Sequence, residues 1–359
     1  MKKATPQILV ADHLKQFINA SISGRRLSAS GKRISKGTIQ NYLYAQKLVL
    51  EFEAKQSAPL RIQLLHRASM RTLQREKNYW ARFYFQFSTF LYKEKGYFDN
   101  YVAGTFKIIK SFFNYLHIEK GYSIGSYHKS FRITVQRNNP IVLQPAQLQF
   151  LISDEAFIKS LDTSLKRARD IFVFGCTVAL RVSDLMNLKR NNLNETGGET
   201  FLTVFTQKTG AEVKIPLPDY AIEIIKKYKK INRKYLLPRL SVTNLNLQIK
   251  KLIKKAGWAA PLPKVMSKQG KFIEIKTAGG KNWCFYEHIT AHTMRRTAIT
   301  TLLILGVPEN VVRKISGHAP GSKEFYRYVA VADDYLNKEV KNAFKKLIET
   351  DFAVDNKQP

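Results

Sequence analysis

The sequence is short of several things, and each shortage excludes a class of protein. Of its 359 residues only two are cysteine, Cys176 and Cys284, and no Cys-x-x-Cys occurs. No disulfide framework can be built from them, so the expected compartment is reducing and cytoplasmic. A membrane-spanning helix needs roughly 20 apolar residues in a row. The longest apolar run, Ile171 to Leu180, falls far short of that. Behind the opening Met1-Lys2-Lys3-Ala4-Thr5-Pro6 there is no apolar stretch, so no signal peptide is expected. Nor is there a Gly-x4-Gly-Lys-Ser/Thr loop or a strand-linked Gly-x-Gly-x-x-Gly, which argues against nucleotide-driven chemistry. Acidic residues are scarce: 27 Asp and Glu stand against 60 Lys and Arg.

That imbalance gives a formal net charge of +33 and a pI near 10.0. Such a charge points to a polyanion, nucleic acid before an anionic membrane surface. The chain is no basic tail, because 44% of it is hydrophobic, with 22 Phe and 17 Tyr to build cores. Its length suggests about two domains. Residues 1–140 sum to +17 and residues 141–359 to +16, so both halves are expected to touch the same partner.

The first half reads as helices. Pro6–Ala20 and Ser35–Lys55 have rough helical periods, Asn78–Lys93 is dense in aromatics, and Asp99 or Asn100 can cap a helix that Gly121 stops. Gly24–Lys36 reads as a mobile basic loop. The aromatics from Tyr79 to Phe90 suit a helix core better than a base-stacking surface. Residues 122–142 lose the period, and the linker is placed near Phe131 to Val142. Beyond it, a helix starts around Pro145 and a buried one spans Leu165–Leu180. Thr200–Phe205 and Glu212–Leu217 form a strand pair turning through Lys208-Thr209-Gly210. Further helices are expected at Asp219–Ile231, Thr243–Ala256, within Thr290–Gly317, and at Asp334–Thr350, with loop or hairpin at Pro261–Lys281.

His288 and His292 have a four-residue spacing that a helical zinc pair could use. However, the interposed Glu of a His-Glu-x-x-His motif and any nearby cysteine ligand are missing, so no metal is expected. What stands out is an ordered series in the second half. Leu180-Arg181-x-Ser183-Asp184-Leu185 comes first, then Lys208-Thr209-Gly210, His292-x-x-Arg295, Gly317-His318, and Phe325-Tyr326-Arg327-Tyr328. Each has a plainer reading. Arg181 could pair with Asp184, Lys208 could be a turn lysine with Lys214 close by, and His318 could be structural. Arg296 adjoins Arg295, but a His-x-x-Arg spacing selects Arg295. Tyr326 lies eight positions after His318 and competes with Tyr328 at ten.

Taken in this order, the motifs resemble those of the tyrosine recombinases, the phage-integrase family. The likeness covers roughly residues 145–345 and is less specific in the first half. It implies a mostly α fold with a small antiparallel β-sheet. An N-terminal helical, SAM-like core-binding domain would occupy residues 1–130 and a linker 131–142. A mixed α/β catalytic domain with a C-terminal helix would fill 143–359. The resemblance also implies site-specific cleavage and rejoining of DNA through a 3′-phosphotyrosyl link, in an integrase of a mobile element. A dimer-resolving recombinase and a catalytically silent DNA-binding protein are the alternatives. Arg181 and Arg295 would bind the scissile phosphate. His292 and His318 would complete the cradle, Lys208 would protonate the departing 5′-oxygen, and Tyr328 would attack. The implied partners are double-stranded DNA, three further copies forming a homotetramer on two duplexes, and accessory DNA-bending or directionality factors. Neither a cofactor nor a membrane is implied. No arm-binding domain is expected before Pro6.

Overall fold

The computed structural model describes residues 6–133, 135–136, 139–230 and 234–349, with side chains described as far as residue 346 in the last helix. It divides into two compact units: Met1–Arg137 with Lys264–Ile275, and Asn138–Pro263 with Lys276–Pro359.

The first unit begins with a short strand, β1 (Gln7–Leu9), that pairs antiparallel with β2 (Arg61–Gln63). Four helices follow one another: α1 (Val10–Ser23), α2 (Lys36–Glu53), α3 (Met70–Thr89) and α4 (Asp99–Asn114). Local chemistry sets their ends. Ser35 and Ser69 accept from the backbone N–H groups of Thr38 and Thr72, satisfying donors that a helix start leaves orphaned. Gly24 closes α1 at φ +78°, a conformation only glycine adopts freely. α3 and α4 each end in a single wide turn, Phe90–Glu94 and Tyr115–Glu119, which keeps Phe90, Leu91, Tyr115 and Leu116 in the core.

The aromatics of α3 belong to that core. Trp80 meets Phe83 and Phe113 edge-on at 5.0 and 4.8 Å, and Phe83 stacks on Phe87 at 5.2 Å. Phe131 is buried there too, stacked on Tyr84. The expected linker therefore starts too early, because a large apolar side chain at its first position finds packing partners. Within the basic loop, Arg26 is also committed to packing. It pairs with Glu119 and lies 4.5 Å over the Phe17 ring.

The second unit opens with α5 (Pro145–Ser153), α6 (Glu155–Ser160) and α7 (Thr163–Val178). Every side chain from Ile171 to Phe174 is fully buried, so α7 is the centre of this core. A short helix α8 (Val182–Leu185) follows. Strands β3 (Leu193–Thr196), β4 (Glu199–Phe205) and β5 (Glu212–Pro216) form an antiparallel sheet in the order β3-β4-β5. The sequence reading missed β3, although Gly197-Gly198, both at positive φ, is a strong hairpin signature. Then come α9 (Asp219–Tyr228) and α10 (Val242–Lys255). The expected end of α9 at Ile231 lies outside the described residues.

Next in the chain, β6 (Lys264–Lys268) and β7 (Lys271–Ile275) form a hairpin that packs in the first unit, against α4. The chain finishes in the second unit with α11 (Phe285–His288), α12 (Ala291–Ile304), α13 (Glu309–Ser316) and α14 (Lys323–Glu349). α14 starts eleven residues before the helix expected at Asp334, so Tyr328 is helical rather than in a connecting loop. The expected end at Thr350 lies outside the described residues. Among those residues no helix is long and apolar enough to cross a membrane.

Candidate active site

The site is built where α7 ends. Its last turn runs into Ala179, which adopts a left-handed conformation (φ +54°) that redirects the chain. Leu180 is buried, and Arg181 then caps α8 with extended backbone angles. Gly175, one turn earlier, lets α12 approach, since a Cβ there would collide with Met294. The Leu-Arg-x-Ser-Asp-Leu motif is thus a helix stop followed by a one-turn restart.

Arg181 and Asp184 do not form an ion pair among the described residues. Asp184 instead accepts a 3.1 Å hydrogen bond from the backbone N–H of Gln207 through Oδ1. That bond ties the α8 turn to the β4–β5 connection, one residue from Lys208. The Nη1 group of Arg181 is buried with no partner. An unsatisfied buried donor costs roughly 1–3 kcal/mol, more when charged, so its retention calls for a ligand.

α12 supplies the second arginine. Arg295 is 2% exposed. Its Nη1 donates to the carbonyl of Ala179 at 2.8 Å. Its Nη2 lies 3.3 and 3.1 Å from Nδ1 and Nε2 of His318, and near-equal distances to both ring nitrogens are possible only above the ring plane. Burial, and then the neighbouring Arg181, push the Arg295 guanidinium down to about 10, so it is still charged at neutral pH. Buried Arg295 and half-buried Arg181 are neighbouring cations with no carboxylate paired to either among the described residues. Cations set together in this way suit an anionic ligand.

His292 and His318 adjoin this pair. Loss of solvent, then Arg296, Arg295 and Arg181, pushes His292 down to about 4. Its side chain is exposed at the surface of the site. His318 is half-buried and also pushed down to about 4, by burial and then by Arg295, Arg181 and Arg313. Both are neutral at pH 7 and able to accept a proton.

Tyr328 is 6% exposed, and its ring centre is 5.9 Å from that of His318. With Pro140, His292, Arg296, Glu324 and Arg327 it lines one small cleft. Its hydroxyl engages Arg296. Tyr326 is 49% exposed and belongs to a different cluster: the Arg313 guanidinium lies 4.9 Å over its ring and bonds its hydroxyl.

The structure therefore gathers Arg181, His292, Arg295, His318 and Tyr328. It does not bring Lys208 into contact with them. Lys208 is exposed on a turn held by the Thr206–Thr209 hydroxyl pair (2.6 Å) and has no hydrogen-bond or ionic partner among the described residues. Lys214 stacks 4.1 Å over Phe201. His288 and His292 are on separate helices, and His288 bonds the carbonyl of Leu262 at 2.8 Å, which accounts for it without a metal. Sequence reasoning set Arg296 aside in favour of Arg295 and did not reach Glu324 or Ser316. Glu324 lies four positions before Tyr328 on one helix, a signal that was available. Nothing in the sequence marked Ser316.

A sequence profile described as the phage integrase family matches residues 153–334. The tyrosine recombinase XerA of Pyrococcus furiosus is 28% identical over 202 residues, 55% of this chain. That match spans 63% of the relative, a little under two thirds of its length. The XerH site-specific recombinase, solved bound to a palindromic difH substrate, is 13% identical. It covers 92% of this chain and 93% of its own, at a TM-score of 0.60. The Tn1549 transposon integrase, solved with transposon right end DNA, is 15% identical and covers 93% of this chain and 99% of its own, at 0.57. At these identities the structural likeness establishes the fold: mostly helical, with small antiparallel sheets in a two-unit arrangement.

Proposed function

The chain belongs to the phage integrase family, and from that premise we propose that it is a site-specific DNA recombinase acting through a covalent tyrosyl intermediate. The observation that carries this is the arginine pair, Arg181 with its buried, unpartnered Nη1 and buried Arg295, beside the buried Tyr328.

The chemistry follows from these groups. A five-coordinate phosphorus carries extra negative charge on its oxygens, and planar guanidinium forks match those oxygens bidentately. Charge stabilisation of this kind commonly contributes more to catalysis than any other single effect. The Tyr328 oxygen attacks phosphorus and its proton passes to neutral His292. The bond from phosphorus to the 5′-oxygen breaks, and Lys208 protonates that leaving oxygen. The product is a 3′-phosphotyrosyl bond, which keeps the energy of the broken phosphodiester for rejoining without ATP. Lys208 reaches the DNA from its turn when substrate is bound.

The same reading takes double-stranded DNA as the partner of both basic units, in the cytoplasm. A homotetramer on two duplexes, with accessory bending or directionality factors, completes the proposed assembly. Integration or excision of a mobile element is the preferred role, supported by the likeness to the Tn1549 transposon integrase. The match to XerA favours a second reading, a housekeeping recombinase that resolves dimers.

The experiment is to trap the covalent complex on a nicked suicide substrate. Wild type and Tyr326→Phe are expected to form it and Tyr328→Phe to lose it. Loss in Tyr326→Phe alone would move the nucleophile, and no complex with any variant would leave a DNA-binding protein without this chemistry.

A further inference from the structure

Resting on that reading of the site, we propose that Ser316 is a positioning residue: it holds His318 in the tautomer that carries its proton on Nδ1, leaving Nε2 as the nitrogen available to the scissile phosphate. Ser316 is the last residue of α13 and is fully buried. Its hydroxyl donates to the Val312 carbonyl at 2.6 Å. A serine hydroxyl has one proton. Without that proton between them, two oxygens this close would oppose their lone pairs, so the proton is committed. Ser316 Oγ also lies 2.8 Å from Nδ1 of His318. Having no proton left to give, Oγ accepts, and Nδ1 must bear the hydrogen.

The rest of the ring follows. A neutral imidazole has one N–H, so Nε2 is bare. Arg295 does not take up that lone pair in line, because its Nη2 sits over the face of the ring. Gly317, left-handed at φ +61°, makes the reversal that returns His318 towards Ser316, and the backbone N–H of His318 bonds the Arg313 carbonyl at 3.1 Å. The ring is thus fixed at its backbone and at Nδ1, leaving only Nε2 to change state. When a phosphate enters, a proton taken from solvent arrives at Nε2, and the resulting N–H donates to a phosphate oxygen while Nδ1 remains on Ser316. An unpinned ring would spend part of its time with the proton on Nε2 and the lone pair turned to Ser316. It would then present Nε2 to the substrate in one fixed state only part of the time.

The test uses the full chain labelled with ¹⁵N-histidine at neutral pH, with His318→Gln identifying the signal. Long-range ¹⁵N–¹H correlation should show a protonated Nδ1 and a bare Nε2 in the wild type. In Ser316→Ala, which removes one oxygen and adds no bulk, the population should shift towards the Nε2–H form. Covalent complex formation should fall roughly tenfold, within the range general acid–base groups contribute, at unchanged DNA affinity. A wild-type Nε2–H tautomer would overturn the proposal, as would a tautomer unmoved by Ser316→Ala or a moved tautomer with an unchanged cleavage rate. If the wild type forms no covalent complex, the recombinase reading fails, while the tautomer measurement stands by itself.

Discussion

Arg295 donates a hydrogen bond from Nη1 to the carbonyl of Ala179, 116 residues away in the chain and held at φ +54°. Left-handed backbone at a non-glycine residue costs about 1–2 kcal/mol, and here it aims a carbonyl at the arginine. One end of the fork is anchored, leaving other N–H groups for substrate. Arg295→Lys keeps the charge but not the fork. It is expected to slow covalent complex formation by about 10³ or more, by analogy with arginines in other phosphoryl transfers, and to weaken DNA binding far less. Ala179→Gly accepts the same φ without strain and should stay close to wild type. A suicide-substrate time course measures both, and an Arg295→Lys rate within tenfold of wild type would contradict the assignment.

His292 and His318 make stability depend on pH. Both are pushed down to about 4 from an ordinary 6.5. The unfolded chain takes up these protons as pH falls through 6.5, while the folded chain resists until about 4. Stability from this source is therefore complete above pH 6.5, declines between 6.5 and 4, and is level below. Calorimetric Tm should fall from pH 7 to pH 4.5, and a His292→Gln, His318→Gln double variant should fall less steeply. Equal slopes would show that these rings titrate normally.

Asp99 gives the first unit a comparable dependence on a carboxylate. It is buried, and accepts from Tyr92 (2.7 Å), Ser267, and the backbone N–H groups of Gln269 (2.7 Å) and Gly270 (3.0 Å). Burial pushes its carboxyl up, but those four donors outweigh it and hold it below the usual carboxylate range. Asp99→Asn turns one acceptor into an NH₂ facing other donors. It should destabilise the first unit by about 2–4 kcal/mol, judged from hydrogen bonds to charged groups. Amide exchange at Gln269 and Gly270 should accelerate. Protection unchanged at both would mean the β6–β7 hairpin is held by something else.

Much of this was legible in the sequence, for physical reasons that differ by element. The arginines, histidines and tyrosine stand in short local motifs, each on or beside a helix whose period is plain, so their order alone suggested the site. Ser35, where a helix was expected to begin, does cap α2, because capping is a local interaction, whereas the caps at Ser69 and Asp162 were not read. Where partners lie far apart in the chain, local reading failed. Phe131 looked like linker because Tyr84 and Phe106, which bury it, are 47 and 25 residues back. The β6–β7 hairpin carries no sign that Asp99, more than 160 residues earlier, receives it. Ser316 was invisible for a subtler reason: its role depends on which of two acceptors takes one proton, and that needs coordinates.

α14 bears a stripe of exposed apolar residues four apart: Leu336 at 40%, Val340 at 54% and Phe344 at 63% exposure. Side chains spaced this way share one helix face, and water is a poor neighbour for it. In the proposed assembly that face packs on another copy. Deletion from Asn337 onward should weaken formation of multi-subunit complexes much more than binding of a first DNA site. Gel-shift titration separates the two steps, and an equal loss in both would argue for a purely internal role.

The net charge of +33 makes a quantitative demand of DNA binding. Each phosphate neutralised by a lysine or arginine releases condensed counterions, so the affinity falls with salt in proportion to the contacts made. Not all of the charge is free to contribute. Arg26 is paired with Glu119, Arg61 with Glu76 and Arg169 with Asp170, and these serve packing. If about ten of the remaining cations meet phosphates, a plot of log affinity against log salt should have a slope near −9. Replacing one phosphate-contacting lysine with alanine should reduce that slope by about one and weaken all sequences alike. A wild-type slope near −2 would mean that most of this charge never meets DNA, and that the even division of +17 and +16 between the halves reflects something other than a shared partner.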